Sequence, residues 1–293
     1  MSPIVVALVA FATFVVAAVA LRLVPTPRIC DRAWLAPALL GAGVLSLFLT
    51  QEAWPSWQHR QMWHSIVRLA IVLGAMGLLL DPLLRDAGDR FSARPLLRAV
   101  LCGATTLLFL RLPASDRGLP AHAAAAGAVA LAWLAAPLGA RARGFAFPAA
   151  CAFAALALVA LLMHGGFAKG ALTTLGIAAA LGAVAVASLG ANGRGLGPFG
   201  AAVAMTLLAA FAAVGRAYQP ESHPIVPHAA WIVPPLAPLA AWAGALPWIK
   251  ESPWQRAIAH IAGPLAVLAI GLGLAFGTAD APPADDDPHA AFR

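Results

Sequence analysis

Charge is scarce in this chain. Of its 293 residues only 11% are Asp, Glu, Lys or Arg, while 61% are hydrophobic, against about a quarter charged in soluble domains. A water-exposed globular surface cannot be built from so few ionisable groups, so a soluble fold is excluded. Cysteine is limited to Cys30, Cys102 and Cys151, with no Cys-x-x-Cys spacing, and no structural disulfide is expected. Tyrosine occurs once, as Tyr218. Three catalytic signatures are missing: Gly-x-x-x-x-Gly-Lys-Ser/Thr, His-Glu-x-x-His and Gly-x-Ser-x-Gly. Phosphate-loop, zinc-protease and nucleophile-elbow chemistry therefore have no anchor here.

What the chain has instead is a succession of apolar runs. A hydrocarbon core of roughly 30 Å needs about 20 apolar residues per helix. Runs of that kind fall at 3–24, 33–49, 66–84, 96–110, 121–140, 145–163, 171–189, 198–214, 229–249 and 257–277, separated by Gly, Pro and charge. The fold predicted is all-α, a polytopic transmembrane bundle of about ten spans. It forms one domain, 1–279, followed by an acidic tail, 280–293, whose Ala, Pro and Asp content predicts disorder. The first run ends near Ala18-Val-Ala20, which resembles a cleavage site, but it has no basic segment before it and is long for a signal peptide. It is read as a span.

Arginine and lysine positions set the orientation. Twelve of the 19 basic residues, including Arg22, Arg28, Arg32 and the group from Arg85 to Arg98, fall on one side when alternate loops are assigned to alternate faces. The other side receives seven: Arg60, Arg68, Arg111, Arg117, Lys169, Arg216 and Arg293. The richer side is assigned to the cytoplasm, which puts both termini outside. This placement also accounts for the net charge of +7 without nucleic acid, which is not expected as a partner. The expected partners are the lipid bilayer and other membrane proteins. Short loops and a preference for Arg over Lys suit the inner membrane of a bacterium.

Several side-chain patterns predict packing. Spans five to eight are rich in Ala and Gly, as in Ala179-x-x-x-Ala183-x-x-x-Ala187, and small residues let helix backbones approach where lipid supplies no hydrophobic drive. These spans are expected to form the tight interior. The linker Arg141-Ala-Arg-Gly144 is so short that the fifth and sixth spans are expected to pair as an antiparallel hairpin. Pro234, Pro235, Pro238 and Pro247 each remove a backbone donor from the ninth span, which should kink or unwind near Pro234 and Pro235.

The polar exception lies at 50–64, with three Trp, two His, an Arg and a Glu between two apolar runs. The threading places it outside, together with His122, His164, Tyr218, Glu221, His223 and His228 from other loops and span ends. From Pro55 onward, Arg60, His64 and Arg68 recur at four-residue spacing, on one face of a helix. Arg68 would lie about one turn below the surface, where a guanidinium needs an anion or a route to the interface. Glu52 or Glu221 is expected to approach that face, with His223 or His228 completing a polar pocket roofed by Trp57 or Trp63, and His59 is a further candidate for the outer polar site. His64, His164, His223 and His228 are candidate metal ligands, since imidazole is the commonest one, and a metal or haem cofactor is compatible with them but not required. The competing reading is that His, Trp and Tyr populate the headgroup belt. On the opposite side, Asp81, Asp86 and Asp89 stand among several Arg and read as a solvated, salt-bridged loop. The second Asp-rich segment needed for a metal-diphosphate site is missing.

These patterns support three functional readings. The first is a non-enzymatic membrane protein, either an accessory subunit or a binder of an amphiphilic ligand at the outer polar site, because the later spans carry hardly an ionisable group apart from His260. The second is a secondary transporter that uses the broken ninth helix. The third is a membrane enzyme or haem protein that uses the outer histidines.

Overall fold

The computed structural model describes residues 3–23, 35–52, 62–85, 94–110, 119–141, 144–189, 195–219, 225–245 and 253–277. Helices and turns account for the described residues, and no strand occurs among them. The helices are α1 (Pro3–Leu23), α2 (Ala36–Leu49), α3 (Met62–Arg85), α4 (Arg94–Phe109), α5 (Leu119–Arg141), α6 (Ala146–His164), α7 (Ala168–Ala187), α8 (Gly197–Ala217), α9 (Val233–Leu236) and α10 (Pro253–Gly277). Many begin on proline. Pro3, Pro37, Pro95, Pro120, Pro148, Pro198 and Pro253 each fall in a first turn, where a missing N–H breaks no intrahelical bond.

Five of these helices contain stretches long and apolar enough to cross a membrane: Trp63–Asp81, Ala146–His164, Ala168–Ala187, Gly197–Ala217 and Ile258–Gly277. Shorter apolar stretches lie in α1, α2 and α5. The outer surface exposes large aliphatic and aromatic side chains such as Leu8, Phe11, Leu79, Leu108, Ile258 and Ile270, which water would not tolerate over such an area. This is a helical membrane protein whose outer faces meet lipid.

Helix α8 is the centre of the bundle and touches each helix from α2 to α7. Small residues set the closest approaches, and they are not confined to the later spans. Helix α2 crosses α3 where Gly41 faces the Ala70 carbonyl and Gly74 faces the Pro37 carbonyl. It crosses α7 where Gly43 and Gly176 meet backbone to backbone, the contact that glycine alone permits between helices.

Two expectations need correction and a third is met. Helices α5 and α6 do not lie side by side as a hairpin: α5 packs on α4 and α8, and α6 on α7, α10 and α8. Gly144, shortly before α6, has φ +106°. A short linker fixes only where two helix ends lie in the chain, and it does not fix the faces that pack. The ninth apolar run departs from regular α-helix around Pro234 and Pro235, as expected. It forms a 3-10 turn at His228–Trp231, the single α-turn of α9, and a 3-10 stretch at Ala237–Ala245, with Pro234 and Pro235 inside α9 and Pro247 outside the described residues. Asp81 is not a solvated loop residue, since it lies within α3 and is 1% exposed; Asp86, Asp89 and the tail at 280–293 lie outside the described residues.

Candidate functional site

The polar residues that come together sit at one end of the bundle, where α2, α6 and α8 finish and α3 and α7 begin. The turn after α2 closes when the N–H groups of Gln51 and Glu52 both donate to the Phe48 carbonyl, at 2.9 and 3.1 Å. That folds Glu52 back over the end of α2 toward the two incoming helices. Gln51 Nε2 donates to Leu47 O at 3.0 Å and to Thr173 Oγ1 of α7 at 3.2 Å, so the turn is pinned to α7 by an uncharged contact as well.

Glu52 is the hub. Its Oε1 accepts from Lys169 Nζ at 2.6 Å and its Oε2 pairs with His64 Nε2 at 3.0 Å. An ionised carboxylate can only accept, so Nε2 carries the hydrogen, and Nδ1 is the ring's acceptor whenever the imidazole is neutral. His64 is 7% exposed and its Nδ1 has no hydrogen-bond partner among the described residues. Lys169 lowers the Glu52 pKa most; burial opposes that shift, and His64 adds to the lowering. Lys169 stands in the first turn of α7, whose N-cap, Phe167, makes no side-chain capping bond. The positive end of a helix is unfavourable for a cation and favourable for an anion, so the Glu52 carboxylate complements α7 while Lys169 depends on Glu52.

Aromatic rings line the cluster. Phe48 packs on Trp63 and His64 with centroids 4.7 and 5.0 Å apart, and Trp63 stands edge-on to His64 at 4.9 Å. Lys169 Nζ lies 5.5 Å from the Trp63 ring centroid, within reach of the ring's negative face. Tyr218, which caps α8, stacks on Phe167 at 4.0 Å with the planes 10° apart. Its hydroxyl meets the backbone of Trp63, one of the first-turn groups left open at the start of α3. Burial pushes the Tyr218 pKa up, while the Trp63 contact and the Lys169 charge pull it down.

The structure therefore brings together Glu52, Trp63, His64 and Tyr218 from the residues singled out in the sequence. Arg68 follows His64 by one turn on α3 and is 3% exposed, in the protein interior and not in lipid. His164 closes α6, with its ring 4.8 Å from Phe276 of α10 and its Nε2 without a hydrogen-bond partner among the described residues. His122 is exposed on α5, and His228 is exposed where the 3-10 turn opens. Trp57, His59, Arg60, Glu221 and His223 lie outside the described residues. Among the described residues no group of three or more His, Cys, Asp or Glu is placed to hold a metal ion.

Sequence reasoning missed Lys169, Gln51, Thr173, Phe48 and Phe167. One signal could have found Lys169: it and Lys250 are the only lysines in a chain that otherwise uses arginine. No protein-family model matches this chain, and no curated protein or solved structure is significantly similar to it.

Proposed function

We propose that this chain is a multi-pass, non-enzymatic membrane protein that binds an amphiphilic ligand at the polar cluster around Glu52, acting alone or as an accessory subunit of a larger membrane assembly. About ten spans, both termini outside and residence in a bacterial inner membrane complete the reading. The observation that carries it is the shared Glu52 carboxylate, joined to Lys169 at 2.6 Å and to His64 at 3.0 Å beside the Trp63 ring. Charged, hydrogen-bonding and aromatic groups at the rim of an apolar bundle match a molecule with a polar head and a hydrocarbon tail. A second reading, transport, draws on the interrupted helix at 228–245, because broken helices in membranes often border a substrate path.

Native mass spectrometry of the protein extracted in a mild detergent tests the first reading. Wild type should retain lipid-sized adducts that are depleted in the Glu52→Gln, His64→Ala double variant. Equal adduct patterns in the two proteins would remove the cluster from ligand binding. Uptake of a solute by wild-type proteoliposomes, lost when Pro234 and Pro235 are both replaced by Ala, would favour transport instead.

A further inference from the structure

The amphiphile reading leaves the chemistry of the headgroup open, and Lys169 supplies it. Its ammonium occupies a seat formed by other parts of the chain: the Glu52 carboxylate at 2.6 Å, which His64 holds by the second oxygen, and the Trp63 ring face at 5.5 Å. A carboxylate with a neighbouring aromatic face is what an ammonium ion needs, one supplying charge and acceptors and the other its quadrupole. Lys169 is held loosely there. Its side chain is 56% exposed, it rides on a flexible four-carbon stem, and its place at the start of α7 is electrostatically unfavourable for a cation. The seat itself is firmer, since Glu52 is fixed by the turn onto Phe48 and Trp63 and His64 are buried.

We propose that Glu52 and Trp63 form an ammonium-binding seat, occupied in this structure by the chain's own Lys169, and that the ligand is an amphiphile with a primary ammonium headgroup of the ethanolamine type. The proposal rests on the amphiphile reading above. A primary ammonium donates N–H bonds to a carboxylate at the distance Lys169 shows, whereas a trimethylammonium has no donor and stands farther off. An anionic headgroup would face the Glu52 charge. The incoming headgroup displaces Lys169, whose ammonium swings out to water on its flexible stem.

The test uses the full-length protein in a non-ionic maltoside detergent, titrated calorimetrically with lysolipids of one acyl chain that carry ethanolamine, choline or glycerol headgroups, and with free ethanolamine. The ethanolamine lysolipid should bind at least about fivefold more tightly than the choline one. Lys169→Met, which removes the internal competitor, should tighten its binding by about tenfold, and Glu52→Gln should weaken it by about tenfold. Lys169→Gln is the second variant, with the same expected direction and a polar side chain that keeps the rim solvated. If either Lys169 variant weakens binding while the glycerol lysolipid binds best, the ammonium seat is overturned and the amphiphile reading stands. Equal affinity for free ethanolamine and its lysolipid would keep the seat and overturn the amphiphile reading. No binding of any headgroup overturns both.

Discussion

Glycine 43 joins the packing of the bundle to the polar cluster, and its replacement by alanine tests that link. A Cβ built at Gly43 stands 2.5 Å from the Gly176 carbonyl oxygen and 3.2 Å from the Ala180 Cβ. Ordinary contact begins near 3.4 Å, so α2 and α7 must separate by roughly 0.9 Å (3.4 minus 2.5). The obstructing atom is backbone and cannot rotate away. Overpacking of this kind costs about 1–3 kcal/mol, while replacing Gly by Ala inside a helix recovers about 1 kcal/mol of propensity. The net loss expected for Gly43→Ala is therefore about 0–2 kcal/mol, and Gly43→Val should cost more. Gly127→Ala and Gly273→Ala are the controls, since nothing among the described residues lies within 4 Å of a Cβ at either position; they should be neutral or stabilising by up to about 1 kcal/mol. Moving α2 off α7 also pulls Gln51 and Glu52 from Thr173 and Lys169, so a variant that still folds should lose the contact between Glu52 and Lys169. Thermal unfolding in detergent, read by circular dichroism, checks the order. If Gly43→Ala and Gly43→Val melt at or above the Gly127→Ala and Gly273→Ala controls, the backbone contact between α2 and α7 has been misjudged.

Three further outcomes follow from the same geometry. The folded-state pKa of Glu52 is lowered, chiefly by Lys169. Its contribution to stability is therefore full above the ordinary carboxylate value of 4.5 and is lost as pH falls through the lower folded value. The melting difference between wild type and Glu52→Gln should be no more than about 1 kcal/mol near neutral pH, since Lys169 is largely exposed, and should close at strongly acidic pH; a gap that widens on acidification would contradict the assignment. Hydrogen exchange should be faster across Ala237–Ala245 than across α8, because 3-10 hydrogen bonds are poorer than α-helical ones, and equal protection would count against the interrupted ninth helix. A C-terminal fluorescent protein that matures only in the cytoplasm should stay dark if the tail is outside, and bright cells would reverse the proposed threading.

Much of the fold could be read from the sequence because lipid imposes a simple rule on it: where water cannot satisfy the backbone, apolar runs become helices. The expected run at 66–84 lies within Met62–Arg85 and the one at 198–214 within Gly197–Ala217. Each start departs by the few residues that a first-turn proline or a polar end decides. The tandem Pro234-Pro235 likewise marks the interruption, a single α-turn flanked by 3-10 segments. Which helices pack together was less legible. The pairing of α5 with α8, and not with α6, depends on which small-residue faces match across distant segments, and periodicity within one helix does not carry that information. The cluster was half legible for the same reason. Glu52 and His64 lie 12 positions apart, one just after α2 and the other in the first turn of α3, but Lys169 lies 117 positions from Glu52 and reaches it because Gly43 and Gly176 bring α2 and α7 into contact.

Photocrosslinking in the membrane tests the proposed site most directly. A lysolipid with a diazirine beside its ethanolamine headgroup is added to membranes containing the full-length protein, irradiated, and located by peptide mass spectrometry. The account predicts label concentrated on the segments that carry Phe48 to His64 and His164 to Thr173, suppressed by excess unlabelled ethanolamine lysolipid and reduced by Glu52→Gln. Label spread over the exposed faces of α1 and α10, unaffected by competitor or by Glu52→Gln, would mean that the cluster ties helices together and binds no headgroup.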